Sequence, residues 1–128
     1  LLGTMNIADR SLALVDFALR RRFSFETLEP ALTAVWERHV AGMLPNDDTS
    51  LVKTIRTRVT ALNERIAADP MLGSQYAIGH SFVTPTDPQS DGPSWFAGVV
   101  ETEIAPLLHE YWFDDHAKAD EAIAALAL

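Results

Sequence analysis

The sequence predicts a mainly α-helical protein that begins with one strand–helix–strand unit of an open α/β sheet. Two observations predict this class. Within residues 1–29, a short apolar run is followed by apolar residues at helical spacing and then by an apolar–polar alternation, which is the order of one unit of such a sheet. Beyond Pro30, apolar residues recur at helical spacing over most of the chain, as in amphipathic helices that share a core.

The strand–helix–strand unit is predicted as follows. Residues 1–5 are short, apolar and followed by Asn6, as expected for a strand buried on both faces of a parallel sheet. From Ala8 onward, apolar residues recur every three to four positions, which predicts a helix that ends in three arginines. Residues 23–28 begin by alternating, so a second strand, half covered by that helix, is expected there.

Two amphipathic helices are expected next. Pro30 suits the first position of a helix, and apolar residues continue on one face as far as Met43. Val35 and His39 are expected on that apolar face. A second helix, with a regular apolar stripe, follows the polar loop at 46–50 and ends before the next proline.

The rest of the chain divides into an irregular segment and two further helices. Residues 72–93 are rich in Gly, Pro, Ser and Asp, which predicts irregular structure with two short extended pieces. A third helix is predicted over 94–112, kinked by Pro106, and an alanine-rich fourth over 115–128. The extended pieces are expected at the apolar patches 76–78 and 81–83.

Composition excludes several classes of function. The net charge of −8 over 128 residues argues against general attraction to a polyanion, so a nucleic-acid role would need a local patch or a partner. The absence of cysteine removes disulfides, thiolate metal sites and thiol nucleophiles, and a cytoplasmic setting is expected. No apolar run approaches the ~18 residues that a membrane span needs, so no membrane association is expected.

Two polar features of the first 29 residues allow more than one interpretation. Arg20, Arg21 and Arg22 end a predicted helix, where cations favour the helix dipole. Alternatively they form a phosphate-facing cluster, because guanidinium groups match phosphate oxygens. Asn6 follows a buried strand, where ligands of open α/β sheets lie, although Asn is also a common turn residue.

The amino-acid sequence of the first 29 residues resembles that of a known family. Residues 4–14 read TMNIADRSLAL and residues 16–23 read DFALRRRF, and together they resemble the second half of an AAA+ NTPase core. They are most similar to the McrB family, the GTP-hydrolysing motor subunits of restriction systems directed at modified cytosine. Further stretches resemble the C-terminal region of that family, so that the likeness spans nearly the whole chain. These stretches are 72–73, 78–82, 104–108 and 110–115.

The resemblance implies roles for the polar residues of the first unit. Asn6 falls at the sensor-1 position, where the family's asparagine helps to orient the attacking water. Arg21 and Arg22 fall where such proteins carry an arginine finger, which reaches into the nucleotide site of a neighbouring subunit. Three further residues support this motif: Asp16, which could hold one guanidinium by a salt bridge, and Asp9 and Arg10, for which a structural role at the turn is expected.

The histidines differ in what they predict. His80 and Ser81 follow Gly79 in a segment from which the family's lid could contact nucleotide, so the resemblance makes them candidate nucleotide-binding residues. The alternative is a hydrogen-bonded turn. His109 and His116 lack metal-ligand spacing with any nearby histidine or carboxylate, and structural roles are expected for them.

The parts of a hydrolytic site that this sequence lacks are equally informative. It contains no G-x-x-x-x-G-K-[ST] motif and no apolar strand that ends in paired acidic residues, so neither a phosphate loop nor acidic Mg²⁺ ligands are present. In AAA+ proteins both elements precede the sensor-1 strand and are expected upstream of Leu1. This chain alone is therefore expected to be inactive.

The resemblance implies a domain division and a set of partners. Residues 1–29 would be the C-terminal part of the AAA+ α/β core, and residues 30–128 its helical lid. The intact protein would bind GTP or ATP with Mg²⁺ and assemble into a homo-oligomeric, hexameric ring. It would work with a nuclease subunit resembling McrC and reach DNA through other domains. Two alternatives stay open: a stand-alone helical interaction module, and a related AAA+ ATPase of another system.

Overall fold

The computed structural model describes residues 2–4 and 22–128, and helices dominate this part of the chain. The α-helices are α1 (Ala34–Ala41), α2 (Thr49–Ala68), α3 (Gly92–Val99), α4 (Ala105–Tyr111) and α5 (His116–Ala124). A π-helical turn, Val100–Ile104, joins α3 to α4. Short 3-10 turns lie at Pro45–Asp47, Ser74–Tyr76 and His80–Val83. The mainly helical class is thus confirmed.

The predicted strand–helix–strand unit is not seen in the described residues. Residues 2–4 and 23–29 have no regular secondary structure and are exposed, including Leu28, whose exposed fraction is 89%. A strand needs a neighbouring strand to pair its backbone groups, and no part of the described chain offers one. The remainder of the unit, residues 5–21, lies outside the described residues.

Helix α1 begins later than Pro30, so that prediction is wrong. Thr33 is the N-cap residue: its backbone is extended, and its Oγ1 accepts a hydrogen bond from the Trp36 N–H at 3.4 Å. This cap satisfies one of the free amide groups at the helix start. Val35 and His39 are exposed, contrary to expectation. Fewer residues of α1 are buried than the apolar sequence pattern predicts, because only one side of this short helix contacts the rest of the protein.

Helix α2 confirms the prediction of a regular buried stripe. The Asp48 side chain caps it by accepting a hydrogen bond from the Leu51 N–H at 2.9 Å, and the helix ends at Asp69, directly before Pro70. The stripe packs in the core at three- and four-residue spacing. Its buried members are Val52, Ile55, Val59, Leu62 and Ile66.

The segment between α2 and α3 is irregular, as predicted, but its two apolar patches are not extended. The 3-10 turns Ser74–Tyr76 and His80–Val83 overlap these patches. Gly73 precedes the first turn with a φ of 119°, a backbone conformation that favours glycine. Ile78, between the two turns, is fully buried. Its backbone is held by a side chain of α2 rather than by a strand.

A π-helical turn rather than a simple bend precedes Pro106. The Ala105 N–H donates to the Val100 carbonyl, five residues earlier, and α4 then begins with Pro106 in its first turn. Proline has no N–H to donate and cannot continue regular helical bonding, so the widened turn shifts the register just before it. The last helix, α5, is shorter than predicted and is capped by Asp115.

The five α-helices of the described residues contribute to one core. Its largest fully buried side chains come from α1, α2, α3, α4, the π turn, the irregular segment and Leu126 near the C-terminus, and α5 adds Ala119 and Ala122. Small side chains on α5 allow it to pack closely against its neighbours. Among the described helices, none combines the length and the apolar character of a membrane-spanning segment.

Candidate functional site

Most of the residues predicted from the first 29 positions fall where the structure gives no description. Asn6, Asp9, Arg10, Asp16 and Arg21 lie outside the described residues. Arg22 lies in an exposed turn. Exposure leaves its guanidinium accessible from solvent, as contact with another subunit or ligand requires. The roles of these residues remain predictions.

The other predicted site residues, His80 and Ser81, lie together on the surface where the chain enters the helical region. Both are exposed and belong to the 3-10 turn His80–Val83. The His80 Nδ1 accepts a hydrogen bond from the Ala31 N–H at 3.0 Å, across 49 positions of sequence. Ala31 is near the boundary predicted between the core and the helical region. The structure therefore joins His80 directly to that boundary.

The backbone of His80 is fixed from the other side by Thr84. The Thr84 hydroxyl donates to the His80 carbonyl at 2.7 Å and accepts from the Trp36 indole N–H at 2.9 Å. Trp36 belongs to α1 and is buried in the core. One hydroxyl thus connects the turn that carries His80 to the first helix, and it satisfies an indole N–H that burial would otherwise leave without a partner.

A second side chain, Asn63 of α2, holds the residues just before the turn. Its Oδ1 accepts from the Ile78 N–H at 2.6 Å, and its Nδ2 donates to the Ile78 carbonyl at 3.0 Å. The amide therefore pairs with both backbone groups of one residue, as a neighbouring strand would do. With the Ile78 side chain fully buried, the segment that leads into Gly79 and His80 is anchored on the longest helix.

These contacts determine how the His80 ring is presented. A ring nitrogen that accepts a hydrogen bond carries no proton, so the proton of the neutral ring lies on Nε2. The Nε2–H and the Ser81 hydroxyl are then two exposed hydrogen-bond donors next to each other on one turn. Groups of this kind suit an anionic ligand, because each can donate to an oxygen.

We expect Thr84→Val to lower the free energy of unfolding by about 1–3 kcal/mol, because it leaves the buried Trp36 N–H without an acceptor. Thr84→Ser retains the hydroxyl and is the matched control, with a stability close to that of the unsubstituted protein. Urea unfolding monitored by tryptophan fluorescence measures both. A loss in Thr84→Ser with no loss in Thr84→Val, which retains the methyl group, would show that the methyl group, and not the hydrogen bonds, stabilises this junction.

The remaining histidines do not form a metal site in the described part of the chain. The His109 and His116 rings lie 5.8 Å apart, and His109 Nε2 lies 3.4 Å from the Asp120 carboxylate. The turn between α4 and α5 brings these side chains close together, a proximity that their separation in sequence did not indicate. Still, no group of three potential ligands is present among the described residues.

Sequence reasoning missed a buried polar cluster around Asp69. Its side chain accepts hydrogen bonds from the Trp112 indole N–H at 2.8 Å, from the Met71 N–H at 2.8 Å and from the Lys118 ammonium group. These bonds, that of Lys118 foremost, lower the pKa of Asp69 from 3.8 to about 2. The ammonium also lies 5.4 Å from the Trp112 ring centroid. This cluster ties the ends of α2, α4 and α5 together.

The described helices form one bundle with exposed polar groups where the chain enters it, and this is the architecture expected of an α-helical lid domain. The model of one family, described as "McrB, alpha-helical lid domain", matches residues 54–120. This match includes most of α2, the turn with His80 and Ser81, α3 and α4. The chain belongs to the McrB family, and the resemblance seen in its sequence is confirmed.

A curated relative extends this likeness beyond the matched segment. The chain is 40% identical over 121 residues to the "Type IV methyl-directed restriction enzyme EcoKMcrB subunit" of Escherichia coli (strain K12). The similarity covers 92% of this chain but only 26% of that protein. The chain thus spans about a quarter of the length of its relative.

Proposed function

We propose that this chain is the C-terminal part of a nucleoside triphosphatase that works as the motor subunit of a restriction complex in the cytoplasm. The observation that carries the proposal is membership of the McrB family, together with a lid-domain match that includes the exposed His80 and Ser81. In this account residues 30–128 are the lid, and residues 1–29 complete the α/β core with sensor and arginine-finger residues.

The polar groups of the junction fit one side of a nucleotide site. The Ser81 hydroxyl and the His80 imidazole are exposed where the lid meets the core segment, and both offer donors to phosphate oxygens. The sequence has no phosphate loop or acidic Mg²⁺ ligands. GTP or ATP with Mg²⁺ would therefore be held mainly by residues outside this chain, and would supply the terminal phosphoryl group for hydrolysis.

The residues before the lid would act on the reaction itself. Asn6 would orient the attacking water, a positioning role that affects the transition state more than ground-state binding. Arg21 or Arg22 would stabilise the charge that develops on the transferring phosphoryl group of a neighbouring subunit. Asp16 would hold one guanidinium in place, and Asp9 and Arg10 would shape the turn.

A site that takes its arginine from a neighbouring subunit implies an oligomer. Because the arginine is supplied across a subunit boundary, each complete site needs two copies, and a closed hexameric ring provides one site at every boundary. A nuclease subunit resembling McrC would associate with the ring. DNA would be contacted by other domains or subunits, in agreement with the net charge of −8 on this chain.

We expect Asn6→Ala, in the longer protein that contains this chain, to lower kcat for GTP or ATP by about 10²–10³ while leaving the Kd for nucleotide within about twofold. Steady-state hydrolysis and equilibrium binding of a fluorescent nucleotide measure the two effects. Ser24→Ala, at an exposed position within residues 23–29, is the control. Loss of binding with an unchanged maximal rate would contradict the assignment of Asn6, and absence of hydrolysis with both GTP and ATP would contradict the proposed function.

A further inference from the structure

We infer that His80 is a positioning residue, which acts on the proposed nucleotide site by holding the Ala31 backbone and so fixing the path by which the chain enters the lid. This inference rests on the proposed function for its effect on nucleotide, whereas the hydrogen bond itself stands on the structure. Direct contact of the His80 Nε2–H with phosphate, which the sequence resemblance implies, is the competing role for this side chain.

The hydrogen bond from Ala31 to His80 is the feature that carries this inference. Between Pro30 and the start of α1, the Ala31 N–H donates to a side chain distant in sequence, at 3.0 Å. The residues before it, 23–29, are exposed and have no regular structure. The direction in which this segment leaves the lid is therefore restrained at Ala31. Releasing that restraint would let the lid adopt more orientations relative to whatever precedes it.

The acceptor itself is firmly placed. The His80 carbonyl is bonded to Thr84, whose hydroxyl also holds the buried Trp36, and Asn63 fixes Ile78 two residues earlier. A donor that meets an acceptor already held in position loses less conformational freedom than one that must order its partner. The turn His80–Val83 is thus held in place, and its imidazole can restrain the Ala31 backbone.

The same geometry separates a positioning role from a stabilising one. Ala31 and His80 are both exposed, so loss of their hydrogen bond leaves no buried polar group without a partner and costs the fold little. Its effect should instead appear where the orientation of the lid matters. A loosened lid must be ordered when nucleotide binds, which raises KM, while an already closed site turns over at its normal rate.

The roles of the two His80 ring nitrogens can be tested separately, because the side-chain amide of Asn mimics one nitrogen and that of Gln mimics the other. His80→Asn places its Oδ1 near the position of Nδ1 and can still accept from Ala31. His80→Gln places its amide near Nε2 instead and can replace a contact to phosphate. His80→Ala removes both groups, and His39→Ala, an exposed histidine on α1, is the matched control for loss of a surface imidazole.

The first measurement uses this 128-residue chain and needs no nucleotide. Amide hydrogen exchange, followed by NMR, should show the Ala31 N–H exchanging about three- to tenfold faster in His80→Ala and His80→Gln. In His80→Asn and His39→Ala it should exchange at nearly the rate of the unsubstituted chain. An Ala31 exchange rate that is the same in His80→Ala as in the unsubstituted chain overturns the inference, whatever the protein hydrolyses.

The second measurement uses the longer protein with GTP and ATP. His80→Ala and His80→Gln should raise KM by about three- to tenfold with kcat within twofold, and His80→Asn should restore KM. Restoration by Gln and not by Asn would mean that His80 contacts the phosphate directly, and would overturn the positioning role. If neither nucleotide is hydrolysed, the proposed function fails, and with it the predicted effect on KM. The exchange rates of the Ala31 N–H still show whether His80 holds the Ala31 backbone.

Discussion

Asp69→Ala should lower the free energy of unfolding by about 2–4 kcal/mol at pH 7. The substitution removes the acceptor of the buried Trp112 N–H and leaves the Lys118 ammonium without its counter-charge. Because the Lys118 side chain is one third exposed, water compensates part of this loss. The estimate therefore lies below the cost of a fully buried unpaired charge.

The contribution of the Asp69 charge should depend on pH in a defined direction. The folded protein holds the pKa of Asp69 at about 2, compared with 3.8 in the unfolded chain. A lowered pKa stabilises the folded state above the unfolded value, and that stabilisation is lost as the pH falls through the folded value. The difference in stability between the unsubstituted protein and Asp69→Ala should thus be constant above about pH 5 and shrink towards pH 2.

Urea unfolding at pH 7, 4 and 2 measures both effects. Asp114→Ala, at an exposed position in the turn after α4, is the matched control and should change stability by less than about 0.5 kcal/mol. Asp69→Asn keeps a single acceptor oxygen, which can accept from Met71 or from Trp112 but not from both, and it places an NH2 group against the other donor, so it should also be less stable than the unsubstituted protein. A difference between the unsubstituted protein and Asp69→Ala that grows as the pH falls would contradict the assigned direction of the pKa shift.

The helices were predictable because the apolar spacing and the capping residues that specify them lie close together in the sequence. The stripe of α2 repeats at three and four residues, and Asp48 and Pro70 mark its ends within the sequence itself. The start of α1 was missed because Pro30 and Thr33 are both acceptable near a helix start. Only the structure shows that Thr33 provides the cap. The 3-10 turns were missed because a short apolar patch has no period by which to distinguish a turn from an extended piece.

The candidate site was predictable only in part, because its contacts join distant positions. His80 and Ser81 were identified because the sequence of residues 78–82 resembles that of the McrB family. Nothing in the sequence pairs His80 with Ala31, 49 positions away, or Asn63 with Ile78, 15 positions away. Asp69 resembled an ordinary helix end before proline, and its partners become visible only when α4 and α5 fold back to it. Such pairs depend on tertiary packing, which local periodicity does not encode.

Arg21→Ala or Arg22→Ala should lower the rate of nucleotide hydrolysis by about 10³-fold or more in the longer protein, because loss of an arginine finger removes stabilisation of the developing phosphoryl charge. Nucleotide binding should be nearly unchanged, since each subunit keeps its own pocket. Arg20→Ala is the matched control and should have a much smaller effect, because successive positions of the helix predicted from the sequence would point about 100° apart. An equal loss in all three variants would instead indicate that the cluster has a structural role.

We propose that this chain belongs to a motor whose hydrolytic sites are completed by a neighbouring copy. The most direct test measures GTP and ATP hydrolysis in mixtures of two inactive subunits of the longer protein. One lacks Arg21 and Arg22 but has an intact phosphate loop, and the other has both arginines but an inactivated phosphate loop. We expect hydrolysis to recover in the mixture, because some boundaries then combine an intact loop with an intact arginine. No recovery at any ratio, with normal co-assembly of the two subunits, would contradict the claim.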